Sequence, residues 1–461
     1  MSDNPSSRRD AASPTTDPVT PTLFPLPPPV APRSGPVASS TPADPKRGAR
    51  LREAQRSQIS WGRIDLDATL AEDQPARVIW AVVERLDLSA LYAAIEARDE
   101  VAGAPAIDPK ILLALWVYAT SEGEGSAREL WRLTQVHAAY RWICGGVDVG
   151  YHTLSDFRSQ QAEVIDGLIT QVLGLLLQQD LVDLSRVAQD GTRVRASAGT
   201  SSFRREQTLE ALMTAAREHL EAVTREAADP AISVRRAAAR KRGARERLAR
   251  LEAALQQVPE VTETKKRSGA KDATVRVSTT DPEARVMKMG DGGFRPAFNM
   301  QFATTTDAAR VIVGVDVTNR GSDMGQTTPM LKQIEKRTGV RPDEMLVDGG
   351  YTQHEAIEQA ADHGTTFYAP LPKPREGDRR DPHVPREGDN EAVGAWRQRM
   401  ATEEAKAIYK QRAATAETVN ADAKQHRGLD SLSVRGRDKV LGSACLFALT
   451  YNILRLLSLG G

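Results

Sequence analysis

The sequence predicts an α/β domain preceded by an all-helical one, and three observations carry that reading. Apolar residues recur at helical spacing between Gln74 and about Gln179. From Leu184 onward the period turns strand-like, and strands then alternate with helices. Between the first strand and the next lie two leucine stripes that read as an inserted helical hairpin.

Taken in order, the first 57 residues hold 12 of the chain's 26 prolines and keep no apolar period, the composition of a disordered tail. Arg8-Arg9 is followed by a segment that prolines break between Phe24 and Val30, so no export signal is expected. Residues 58–183 form the helical domain. Val78, Ile79, Val82, Val83 and Leu86 make one stripe, and Asp108-Pro109 is an N-cap followed by proline at the first helical position. Ser126 with Glu129, and Thr153 with Asp156, have capping-box spacing. The stretch from Ser126 to Arg158 suits a helix-turn-helix with Arg128, Arg132 and Arg141 toward DNA; Leu130, Trp131, Leu133 and Trp142 suit a packing role equally.

Residues 184–461 form the second domain. An apolar strand closes on Asp190-Gly191, and Phe298 to Thr305 with Arg310 to Thr318 read as a hairpin turned at Asp307-Ala-Ala. Met345-Leu-Val347 closes on Asp348-Gly-Gly350, followed by a helix from Gln353 to Asp362 and a strand from Thr365 to Pro370. The insertion, about 204–258, has Leu209, Leu212, Ala216, Leu220 and Val223 on one arm and Leu248, Leu251 and Leu255 on the other, with Asp229-Pro230 between. Its second arm, Arg235 to Arg250, holds eight basic residues against Glu246, a local charge of +7. Such a run suits DNA phosphates or simply a solvated helix face. Residues 373–390 repeat Pro-Arg-Glu-Gly-Asp and read as an exposed loop. A helical stretch runs from Glu391 to Gln425. Val440 to Leu459 is apolar but carries Asn452 and Arg455, which argues for a buried helix and against a membrane span.

Composition narrows the chemistry. With 62 basic and 61 acidic residues the chain is no uniformly basic nucleic-acid coat. Cys144 and Cys445 form no CxxC, so a disulfide framework or thiolate zinc site has no support and a cytoplasmic setting is expected. The histidines show no HExxH, and neither GxSxG nor a Walker loop occurs. What remains is carboxylates at strand ends, Asp190 and Asp348, which supply the hard oxygen ligands that Mg²⁺ or Mn²⁺ wants. Asp-Gly is also a common turn dipeptide. On the late helix, at about 100° per residue, Tyr409, Glu417 and Lys424 fall within roughly 80° of one another, with Arg412 about 60° to the other side. That face suits an acid on metal with cations on phosphates, or a surface salt-bridge lattice.

The order Asp190-Gly-Thr, Thr280-Asp-Pro-Glu-Ala-Arg-Val-Met-Lys288, Phe298-Asn-Met-Gln301, Ser322-Asp-Met-Gly-Gln326, Val347-Asp-Gly-Gly-Tyr351, then Tyr409, Arg412, Glu417, Lys424 and Arg435-Gly-Arg437, resembles bacterial insertion-sequence transposases of the DDE type. Pro109-Lys-Ile-Leu-Leu113, Ser126-Ala-Arg-Glu-Leu130 and His152-Thr-Leu-Ser-Asp-Phe-Arg158 resemble their N-terminal domain, and the likeness spans about residues 60 to 458. The resemblance implies a ribonuclease-H-like mixed sheet flanked by helices, with Asp190, Asp348 and Glu417 as catalytic acids holding two Mg²⁺ or Mn²⁺ ions. It implies cleavage of element ends and their joining to target DNA, with double-stranded DNA as partner and a homodimer on it. Arg240, Lys241, Arg242, Arg245, Tyr409, Arg412 and Lys424 are the expected DNA contacts. A DNA-binding derivative that no longer cuts, or a stand-alone metal-dependent nuclease, is the alternative function. In related transposases the arginine precedes the glutamate by four residues, whereas Arg412 precedes Glu417 by five.

Overall fold

The computed structural model describes residues 65–95, 105–227, 233–267, 269, 275–373 and 379–459. The proline-rich segment 1–57 lies outside them, as do 374–378 of the repeated-motif loop.

Seven helices come first: α1 (Pro75–Arg85), α2 (Ser89–Ala93), α3 (Pro109–Ser121), α4 (Ala127–Val136), α5 (Ala138–Cys144), α6 (Tyr151–Gln160) and α7 (Ala162–Gln178). Their starts follow local chemistry. Asp108 accepts from the Lys110 N–H, Ser126 from the Glu129 N–H and His137 from the Ala139 N–H. The expected cap at Thr153 is corrected: α6 begins at Tyr151 after Gly150, so Thr153 already lies within its first turn. Glu129 does not return to Ser126 either; it pairs with Arg132, and Glu124 accepts from the Ser126 N–H instead.

The sheet then assembles from β1 (Arg186–Arg195), β4 (Arg285–Lys288), β5 (Phe294–Thr305), β6 (Ile312–Thr318), β7 (Glu344–Leu346) and β8 (Thr366–Tyr368). Two short strands, β2 (Phe203–Arg204) and β3 (Val277–Ser278), pair apart from it. Strands β1, β5 and β6 are antiparallel neighbours, whereas β7 and β8 run parallel to β1 on its other side. The result is an α/β fold with a mixed sheet. Strand β5 is buried from Pro296 to Thr305, which matches its place between β1 and β6.

The insertion is two long helices, α8 (Glu206–Glu226) and α9 (Val234–Arg267), and the β2–β3 ribbon closes its base. The second helix outruns the expected end near 258 and takes Pro259 into its interior. Leu209, Ala216, Leu251, Ala254 and Val258 give this hairpin a small core of its own.

After β6 come α10 (Thr327–Thr338), α11 (His354–Asp362), α12 (Glu391–Arg399), α13 (Glu403–Arg412), α14 (Thr418–Gln425) and α15 (Arg437–Leu459). The helical stretch expected from Glu391 to Gln425 is broken once, at 400–402, and the one helix expected to carry Tyr409, Arg412, Glu417 and Lys424 runs continuously from Glu403 to Gln425. Thr402 caps α13 by accepting from the Ala405 N–H, and a π turn, Ala413–Glu417, joins α13 to α14. Helix α15 is long and apolar enough to cross a membrane by length and composition, and 72% of that stretch is buried inside this fold against α3, α6, α7 and β6. Two of its polar residues bind the sheet's backbone. The Asn452 amide donates to the Ile312 carbonyl at 2.8 Å and accepts from the Ile312 N–H at 2.9 Å, completing one rung on the edge of β6 that α15 buries. Arg455 donates to the carbonyls of Ala308 and Ala309 in the β5–β6 turn.

Candidate functional site

Pairing geometry places the two aspartates. Strand β7 is parallel to β1 with Ala188 opposite Leu346, so Asp190 and Asp348, each two residues further on, stand level on one face. Asp190 does not end its strand as the Asp-Gly pair suggests, because β1 continues to Arg195. Gly191 is needed for closeness instead of turning: a Cβ there would sit 2.3 Å from Gln301 Nε2 and 2.4 Å from Asp323 Oδ1. Asp348 follows its strand two residues past Leu346, and its carboxylate accepts from the Gly350 N–H at 2.7 Å, opening the short 3₁₀ turn Gly349–Tyr351.

The late helical stretch brings the remaining groups. Arg412 Nη2 lies 3.0 Å from Asp190 Oδ1 and 3.9 Å from Asp348 Oδ2, while Nη1 lies 3.8 Å from Glu417 Oε1. One guanidinium therefore touches all three acids. The π turn between Arg412 and Glu417 explains how. In an α-helix neighbours on one face are four apart, but an i→i+5 turn brings a residue five away to that place. The extra residue that separates Arg412 from Glu417, relative to the spacing in related chains, is absorbed there.

The surroundings tune these charges. Burial raises the Asp190 pKa, Arg412 opposes it and Asp348 adds to it, with a net upward shift. Arg412 is itself pulled down by burial, but Asp190 and its neighbours outweigh this and hold it firmly charged. Burial, followed by Arg193, lowers Lys424, which Asp190 and Asp430 partly offset. Burial also raises Tyr409, which stands beside Arg412. The Asn420 amide donates to Asp190 Oδ2 at 3.1 Å, and its own Oδ1 is buried with no partner among the described residues.

Sequence reasoning misses three of these neighbours. Asp323 accepts from Asn299 Nδ2 at 2.6 Å and Gln301 Nε2 at 2.8 Å, lies 3.5 Å from Arg193, and adds to the upward pressure on Asp190. Its signal is present in Ser322-Asp-Met-Gly-Gln326, but nothing in one chain assigns it to the sheet's acidic face. Arg193 lies on β1 and becomes legible only once the strand is known to continue. Asn420 needs the helix phase beyond the π turn. Other acids of the late helical stretch are engaged elsewhere: Glu403 pairs with Lys406 at 2.8 Å and Asp422 with Arg427 at 3.1 Å.

The basic arm of the insertion does not join this cluster among the described residues. Arg240 pairs with Glu226 at 2.7 Å and Arg242 approaches Glu246 at 3.9 Å, while Arg245 is exposed and Lys241 half-buried on α9.

Donor chemistry provides a test for a divalent cation. Three carboxylates from β1, the end of β7 and the start of α14 converge on one cationic group, and an unpartnered amide oxygen lies beside them. Hard oxygens around a positive charge fit Mg²⁺ or Mn²⁺. Among the described residues no three His, Cys, Asp or Glu side chains form a closed metal set, because the acids surround Arg412 and not one another.

Comparison with known families gives two matches. Residues 263–453 match the Transposase DDE domain, and residues 64–160 match the Transposase domain (DUF772). The first match spans Asp348, Arg412 and Glu417; Asp190 precedes it and reaches them through the β1–β7 pairing. Among curated proteins and solved structures nothing matches the chain.

Proposed function

We infer, for a chain that belongs to the DDE-type insertion-sequence transposases, that it cuts DNA at the ends of a mobile element and joins those ends to target DNA. The observation that carries the reading is the meeting of Asp190, Asp348 and Glu417 around Arg412 on the face where parallel strands β1 and β7 end or pass. The strand order β6-β5-β1-β7-β8, antiparallel on one side of β1 and parallel on the other, is compatible with a ribonuclease-H-like sheet.

Asp190, Asp348 and Glu417 would hold two divalent cations, which supply the activation of water or a 3′-hydroxyl and the neutralisation of the scissile phosphate. The chain's own cations act around that centre. Arg412 offers a planar fork suited to a phosphate, and its buried setting strengthens each hydrogen bond it makes there. Lys424 adds a second positive group near Asp190, and the Tyr409 hydroxyl faces the Arg412 guanidinium. Ends of two elements must meet for joining, which is why a homodimer on double-stranded DNA belongs to the proposal.

Cleavage of a duplex bearing the element's terminal sequence tests it, with Mg²⁺ or Mn²⁺ and a target plasmid present. Asp190→Asn, Asp348→Asn and Glu417→Gln are each expected to abolish cutting while the duplex is still bound. Cutting without strand-transfer products would favour a stand-alone nuclease, and binding without any cutting by the unmodified chain would favour a DNA-binding derivative. Wild-type rates in any one of the three variants would remove that acid from the set.

A further inference from the structure

We propose that a cleft between the insertion hairpin and the sheet domain binds the phosphodiester backbone of duplex DNA, about one strand-length from the acids. The proposal rests on the DNA-cutting reading for its biological context but not for its test.

The cleft encloses about 340 Å³, and its walls come from both parts of the fold. Arg247 and Arg250 project from α9, Thr279 and Thr280 follow β3, and Arg435 comes from the Arg-Gly-Arg segment before α15, over a floor that includes buried Leu251. Some arginines of the hairpin have carboxylate neighbours, Arg240 with Glu226, Arg217 with Glu252 and Arg267 with Glu263, whereas exposed Arg225, Arg235, Arg236 and Arg245, which do not line the cleft, form no ion pair among the described residues. Among the described residues Arg247, Arg250 and Arg435 form no ion pair. Arg435 is anchored by its Nε to the Ser197 carbonyl at 3.2 Å, which leaves both Nη groups for the cleft. The Thr279 hydroxyl donates to the Ser202 carbonyl at 3.2 Å, whereas the Thr280 hydroxyl has no partner among the described residues.

Three guanidinium groups around one cavity repel each other unless an anion lies among them, and arginines with hydroxyls form the donor set that takes phosphate oxygens. Placement favours a duplex over a free phosphate. Segment 430–435 runs beside the end of β1: the Arg195 N–H donates to the Asp430 carbonyl and the Leu432 N–H to the Arg195 carbonyl. Strand β1 ends at Arg195, five residues past Asp190 or roughly 17 Å at strand rise, and Ser197, where Arg435 is anchored, lies two residues beyond that end. That is within one turn of B-DNA, about 34 Å. A single duplex can thus reach the acids and the cleft together, and its phosphates would tie the hairpin to the sheet domain.

The test uses the full chain without added metal and a short duplex titrated with salt. Replacing Arg247, Arg250 and Arg435 by Gln is expected to flatten log K against log salt by about 0.9 for each phosphate no longer neutralised, up to about 2.7. The pair Arg240→Gln with Arg242→Gln should change it less, because each already has a carboxylate neighbour. Single variants R247Q, R250Q and R435Q cover the case in which the triple variant does not melt cooperatively. An unchanged slope in well-folded variants overturns the cleft, and so does inorganic phosphate raising the melting temperature as much as the duplex does. A wild-type chain that shows the arginine-dependent slope yet never cuts with Mg²⁺ or Mn²⁺ refutes the proposed function and leaves the cleft standing; cutting with an arginine-independent slope does the reverse.

Discussion

Asp190 shows how a single side chain is held against its own preference. Burial is the largest influence on its carboxyl and raises its pKa, Asp348 raises it further, and Arg412 only partly opposes them. A carboxyl whose folded-state pKa lies above the unfolded value of about 3.8 binds more protons when folded. Its charge therefore lowers stability as pH climbs from that unfolded value through the folded one, and the loss is complete above both. Asp190→Asn removes this loss, so without metal the variant is expected to melt higher than wild type at pH 7 and to lose that advantage as pH falls below about 4. Thermal melts across pH with a chelator present check it; an advantage that persists into acid would place the effect elsewhere. Asp190 and Asp348 can be read from sequence because acids that follow short apolar runs are visible in one chain. Asp323 cannot, because its approach depends on Gly191 leaving room between β1 and β5, a relation between strands far apart in sequence.

At the scale of elements the informative feature is the π turn at Ala413–Glu417. A uniform 100° per residue puts Tyr409, Arg412, Glu417 and Lys424 on one face, and the face exists although the helix is not uniform. A π turn carries one residue more than the α-helix it interrupts and is costly unless function keeps it. Deleting Ala414 should convert it to a regular turn with Arg412 four residues before the acid, the spacing of the related transposases. Cleavage and DNA binding are then expected to survive with a melting temperature equal to or above wild type. Loss of cleavage with an intact fold would show that the i→i+5 geometry itself matters. Helix α15 offers a second test, because Asn452 serves both backbone groups of Ile312. Asn452→Ala leaves them buried without partners at a cost of about 1–3 kcal/mol for each unsatisfied group, whereas alanine at exposed Ser458 on the same helix should cost little. Equal denaturant midpoints for the two variants would remove that role. The apolar run of α15 is legible in sequence, but its use for Asn452 is not, since Ile312 on β6 lies 140 residues away.

For the whole molecule the decisive fact is how the cores divide. One continuous apolar cluster includes Leu113, Leu168 and Val172 of the N-terminal helices together with Phe302, Val315 and Phe447 of the sheet and α15. The insertion keeps its own cluster around Leu209 and Leu251. Sequence periodicity marks where helices give way to strands, but it cannot show that a C-terminal helix is shared by both regions, because the sharing joins residues at opposite ends of the chain. Gly123 and Gly428 mark the same join: each has positive φ, and a Cβ on Gly428 would lie 2.4 Å from the Gly123 carbonyl oxygen. Two opposite outcomes follow from this division. A fragment of residues 184–461 strips α15 of α3, α6 and α7 and should lose its cooperative melt despite carrying all three acids. Leu251→Asp, by contrast, buries a charge within the hairpin alone, so the main transition should persist while an earlier, smaller one appears and duplex binding weakens. Calorimetry and salt-titrated binding on the two proteins separate these cases. If the fragment melted cooperatively and Leu251→Asp abolished the single transition of the full chain, the cores would be coupled the other way, with the hairpin as part of the folding unit and the N-terminal helices as an attachment.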